Sequence, residues 1–75
     1  MPGDAFGIYL RLADLELQEA GRPAYTRAVA ILRKAARAAK VDDREGEFTE
    51  HVATLRDRHR RRPTLIALLD KARFA

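Results

Sequence analysis

The densest chemical feature of the chain is the run His59-Arg60-Arg61-Arg62-Pro63, preceded by Arg56 and Arg58. Guanidinium groups grip carboxylate and phosphate oxygens bidentately, and each phosphate they neutralise releases counterions. The run therefore offers a patch for an acidic protein or for a nucleic acid. The same cations near a helix C-terminus would complement the helix dipole with no partner at all. Arg56, Arg58, Arg60 and Arg61 also point in different directions around a helix, which spreads the charge.

A second basic stretch holds Arg27, Arg33, Lys34, Arg37 and Lys40. Residues 22–40 contain six bases and no acid, for a net +6. Charge runs in blocks along the chain: −3 over residues 1–21, −4 over 41–50 and +5 over 51–75, with +4 in all. Two readings stay open. Acidic and basic helices laid side by side offset each other's self-repulsion, or the basic surface meets an acidic partner. The candidate partner-binding residues are Arg27, Arg33, Lys34, Arg37 and Lys40 in one set, and Arg58, Arg60, Arg61 and Arg62 in the other.

Other chemistry is poorly supplied. The chain has no serine and no cysteine, so its hydroxyl nucleophiles are threonines and tyrosines with no base placed to activate them. No glycine-rich loop is present to cradle phosphate. Glu47 and His51 are spaced to share a helix face, with Glu50 near, but two ligands do not make a metal site. His51 and His59 stand about two helical turns apart, too far for one ion. Asp42-Asp43-Arg44-Glu45 departs from the calcium-loop pattern, with Arg44 at a ligand position and Gly46 one place early. No enzyme, cofactor or metal is expected. Base-specific DNA reading is also disfavoured. The chain has no asparagine, its one glutamine is Gln18, and a helix-turn-helix alignment on Gly21 puts Arg27 where a buried apolar residue is wanted. Phe6, Tyr9, Tyr25 and Phe48 fall on apolar helix faces, away from any base-stacking platform. Nonspecific nucleic-acid binding through the arginines remains open.

The elements that would position these cations are helices. Ala, Leu, Arg and Glu dominate, and Val, Ile and Thr never alternate as in a strand. The first helix is expected from Asp4, as N-cap, to about Glu19. Phe6, Ile8, Tyr9, Leu10, Leu12, Ala13, Leu15 and Leu17 cover more than half of its circumference. So wide an apolar arc predicts packing against more than one neighbour, and hence a central place for this helix. Gly21 is expected to end it, and Pro23 to open a second helix running to Lys40. That helix has Tyr25, Ala28, Leu32, Ala35, Ala36 and Ala39 on one side and its cations opposite; its alanines predict close approach with modest buried area.

Asp42 and Glu45 have capping-box spacing for a third helix to about Arg61, with Phe48, Val52, Leu55 and His59 as its stripe. Pro63 must break it, and a short helix over residues 64–73 follows, with Leu65, Leu68, Leu69 and Ala72 inward. The fold class is all-α: a small antiparallel array of three main helices and a short C-terminal one, in a single domain. No apolar run is long enough to cross a membrane, and residues 1–4 carry no basic charge ahead of the apolar stretch, so a cytoplasmic protein is expected.

Ala28, Leu32 and Ala35 follow the A-x3-F-x2-A spacing of the second helix of a tetratricopeptide repeat, with Leu for the large residue, and Leu12 and Leu15 fall at large apolar positions of its first helix. Residues 9–40 thus resemble one such repeat. Glu16, Glu19 and Lys40 depart from it, where the repeat prefers a small residue, Tyr and Pro. The resemblance implies a hairpin array that binds proteins. A second likeness is carried by GRP-x-Y (Gly21 to Tyr25) before the Ala-rich helix, then LR-x2-HRRRP-x-L-x3-LD (Leu55 to Asp70). These segments are similar to the helical C-terminal region of bacterial SWIM zinc-finger proteins. That likeness implies a helical module normally attached to a zinc-binding, nucleic-acid- or protein-binding domain. With no cysteine here, no zinc role carries over. Together these readings predict a non-catalytic interaction or scaffolding module for an acidic protein partner or for self-association, with nonspecific nucleic-acid binding as the alternative.

Overall fold

The computed structural model describes residues 5–19 and 21–72. Four helices account for most of them: α1 (Ala5–Leu17), α2 (Arg22–Val41), α3 (Glu45–Arg58) and α4 (Pro63–Ala72), with no strand among the described residues. The expected capping role of Asp4 and the extension of the last helix to Arg73 lie outside the described residues.

The punctuation between helices departs from expectation in instructive ways. α1 closes on tightened bonds, with the Gln18 and Glu19 N–H groups donating to the Leu15 and Glu16 carbonyls at 3.2 and 3.1 Å. Gly21 does take positive φ (117°, with ψ 156°), a region essentially restricted to glycine. Its place, however, is the N-cap of α2, where its carbonyl accepts the Tyr25 N–H at 3.2 Å. Asp42 does not open a capping box for α3. It caps the C-terminus of α2, Asp43 takes the left-handed conformation (φ 58°), and the Arg44 N–H returns to the Ala39 carbonyl at 2.7 Å. This is a Schellman closure with Asp in the usual glycine position. Arg44 becomes the N-cap of α3 without a side-chain capping bond. At the other end α3 stops at Arg58 with His59 as its C-cap, earlier than the expected Arg61, and Pro63 begins α4. A proline costs little there because first-turn N–H groups lack intrahelical acceptors.

α1 and α2 form an antiparallel hairpin. Arg27, early in α2, reaches Glu16 and Glu19 at the end of α1, while Ala38 and Val41, late in α2, flank a cleft with Ala5 and Tyr9. α3 runs beside α1 in the same direction, since Arg44 lies over the Phe6 ring and His51 meets Asp14.

The central helix is α2, not α1. α2 packs against all three others, whereas α1 packs chiefly on α2. Along α2, Ala24, Tyr25, Ala28, Val29, Leu32, Ala35 and Ala39 are all buried, four of the seven being alanines. Its alanines let three helices approach closely, so small side chains bring many neighbours instead of few. Phe6, Leu32, Leu55, Leu65 and Leu69 are the large, fully buried side chains, drawn from every helix. No polar side chain is buried among the described residues.

The width of the apolar arc on α1 has a different outcome from the one expected. Phe6, Ala13 and Leu17 face the core, while Ile8, Leu12 and Leu15 lie on the opposite side and remain 54%, 43% and 52% exposed.

Candidate partner-binding surface

The fold sorts the cations into two groups. Some are engaged internally. Arg27 pairs with Glu16 at 2.7 Å and Glu19 at 3.1 Å, and the hydrogen bond and charge of Glu16 raise its pKa above the ordinary guanidinium value. Arg44 binds Glu47 at 2.8 Å and covers Phe6, and Arg56 binds Asp70 at 2.6 Å to tie α3 to α4. Arg62 donates to the Leu17 carbonyl at 3.2 Å and lies 5.8 Å over the Tyr25 ring. It thereby satisfies one of the orphan carbonyls at the end of α1.

Arg33, Lys34, Arg37 and Lys40 are exposed and make no ion pair or side-chain hydrogen bond among the described residues. They occupy the outward side of α2, opposite its buried alanines. Two clefts flank this ridge. One, of about 400 Å³, lies against α1 and is lined by Ala5, Tyr9, Lys34, Arg37, Ala38 and Val41. The other, of about 260 Å³, lies toward α4, with Arg33 and Lys71 beside Val29 and Leu68. The ridge thus presents cations on both rims, with small and apolar groups beneath.

Of the second candidate set, Arg58, Arg60 and Arg61 are exposed and unpaired among the described residues. With Asp57, His59 and Arg62 they line a cleft of about 530 Å³ at the α3–α4 turn. Partial burial, followed by the charges of Arg62 and Arg58, lowers the His59 pKa below its ordinary 6.5. His59 is therefore neutral near pH 7.

The two sets do not merge. Arg62 sits over Tyr25, at the turn end of the hairpin, whereas Lys34 borders the cleft at the start of α1. Tyr25 and Lys34 are roughly 14 Å apart along α2 at 1.5 Å per residue. Arg27 and Arg62 are occupied by the fold, while Arg33, Lys34, Arg37, Lys40, Arg58, Arg60 and Arg61 stay available. The pairing of Arg27 could have been suspected from the acids at the end of α1. The Arg62 contact with a backbone carbonyl left no sequence signal.

The Glu47–His51 spacing considered for a metal does not converge: His51 contacts Asp14 at 3.2 Å, and Glu47 holds Arg44. Among the described residues no three acidic or histidine side chains cluster as metal ligands. No described helix is long and apolar enough to cross a membrane. No protein-family model, curated protein or solved structure matches this chain, so the two resemblances rest on the residues quoted for them.

Proposed function

We propose that the protein is a non-catalytic interaction module whose basic α2 ridge receives an acidic protein partner. One observation carries this reading: Arg33, Lys34, Arg37 and Lys40 line up on one side of one helix, and the fold uses none of them, although it pairs Arg27, Arg44 and Arg56 with acids. Unpaired cations on a rigid helix, bordered by shallow clefts, suit a carboxylate-bearing surface. Complementary charge steers encounter and fixes register more than it adds affinity. The antiparallel α1–α2 hairpin, with α3 alongside α1, also supports a tetratricopeptide-like array.

The test is fluorescence anisotropy of labelled polyglutamate against the wild type and the Arg33→Glu, Arg37→Glu double variant, with helicity followed by circular dichroism. Salt-sensitive binding to the wild type, lost in the helical double variant, is expected. Retained affinity in that variant would refute the ridge as the binding surface.

The arginines at the α3–α4 turn favour a second reading, an accessory nucleic-acid binder without sequence selectivity. Arg58, Arg60 and Arg61 surround one cleft with no internal acceptor. Duplex DNA or single-stranded RNA that binds with steep salt dependence, and is released by changing Arg58, Arg60 and Arg61 to Ala, would select it.

A further inference from the structure

α1 is apolar on two opposite faces, and the outer one has no cover within the described residues. Ile8, Leu12 and Leu15 follow one another at four- and three-residue steps, so they form a single stripe along the helix. At 100° per residue the stripe grades through Ala5 into Tyr9, which both line the cleft against α2. Across that cleft stand Lys34 and Arg37, unpaired, and Val41, 84% exposed. The result is one continuous surface: an apolar stripe, a groove floored by small residues, and a cationic rim on one side.

Resting on the acidic-partner reading above, we infer that this surface binds an acidic amphipathic helix of a partner protein. Its apolar side chains would lie on Ile8, Leu12 and Leu15 and reach toward Val41, and its carboxylates would meet Lys34 and Arg37. A helix laid in such a groove is recognised through anchors at i, i+3, i+4 and i+7, which matches the spacing of the stripe. The cationic rim selects for acid on the flank of the incoming helix that faces α2.

Competing occupants fit less well. A nucleic acid gains nothing from exposed isoleucine and leucine. An anionic lipid surface wants cations on the inserting helix, but α1 carries Arg11 against Asp14 and Glu16, with Glu19 just beyond its end. A second copy joined α1 to α1 would be held by three half-exposed side chains, well short of the roughly 800 Å² per partner of a standard interface.

The experiment uses the full chain and three labelled probes: a designed peptide of about 20 residues with Leu at helical anchor spacing and Glu elsewhere, its scrambled isomer, and polyglutamate. The amphipathic peptide is expected to bind at least about tenfold more tightly than the scrambled one. Ile8→Gln with Leu12→Gln, both about half exposed and neutral, is expected to remove that advantage and leave polyglutamate binding unchanged. Lys34→Glu with Arg37→Glu is expected to weaken both. Equal binding of the two peptides, or full retention by the Ile8, Leu12 variant, would overturn the inference and leave the basic-ridge reading intact. No binding of any probe would overturn both. Sedimentation showing a dimer abolished by the Ile8, Leu12 changes would assign the stripe to a second copy. Anionic vesicle binding abolished by them would assign it to lipid. Either result would also overturn the inference.

Discussion

Arg27 and Lys34 stand two turns apart on the α1-facing side of the same helix, yet their fates differ. Arg27 holds two carboxylates, and Lys34 holds none among the described residues. The cause lies across the hairpin. Toward its C-terminus α1 presents Glu16 and Glu19; toward its start it presents Ala5, Ile8, Tyr9 and Leu12. Antiparallel pairing sets the acidic end against the beginning of α2 and the apolar end against its later half. Within a run of cations that looks uniform in sequence, the fold thereby pairs Arg27 and leaves Arg33, Lys34, Arg37 and Lys40 without an acid among the described residues. At the turn end Arg62 is absorbed as well, by the Leu17 carbonyl and the Tyr25 ring.

This contrast makes graded predictions, because substitutions at the turn end should cost stability and those on the ridge should not. The largest effect belongs to the residue that sets the hairpin. Gly21→Ala places a Cβ at φ 117°, a strained conformation whatever the space around it, and should destabilise by about 1–3 kcal/mol in urea unfolding. Next, Arg62→Ala removes the hydrogen bond to Leu17 and the contact over Tyr25, for an expected loss of about 1 kcal/mol. Arg27→Ala breaks an exposed ion pair and should cost less than Arg62→Ala in the same assay. Lys34→Ala and Arg37→Ala should leave the unfolding midpoint in place and lower affinity for polyglutamate. A midpoint lowered as much by Lys34→Ala as by Arg62→Ala would erase the distinction between the two halves.

A pH effect sharpens the picture at the turn. His59 has its pKa lowered by burial and by Arg62 and Arg58, so the unfolded chain takes up its proton first as pH falls. The contribution is fully present above about pH 6.5, the unfolded value, and is lost as pH drops through the folded one. Wild-type stability should therefore fall with acidification through this window, and His59→Gln should flatten that part of the profile. An NMR titration placing the His59 midpoint above 6.5 would contradict this account.

Helical periodicity and composition were enough to read four helices in the right order, and most of the residues that face the core. The tertiary arrangement was less legible. The wide apolar arc of α1 predicted two neighbours, but periodicity cannot say whether an apolar face is covered by this chain. Ile8, Leu12 and Leu15 are the residues where that inference failed: the described chain leaves them exposed. The alanines of α2 predicted a close approach to α1, but not that three helices would pack on this one. Asp42 satisfied the spacing of a capping box, but the preceding helix claimed it for its own C-terminus, a competition decided by the left-handed turn at Asp43. Both basic sets could be named from sequence. Their separation, and the withdrawal of Arg27 and Arg62 into the fold, required the register of the hairpin.

The central claim is that the later half of α2 carries the binding surface. Its most direct test is a ¹H–¹⁵N NMR titration of the full chain with unlabelled polyglutamate at low salt. Shift changes concentrated on residues 33–41, with little change at Arg27 or Arg62, are the expected result. Changes confined to residues 58–62, or spread evenly over every exposed cation, would contradict it.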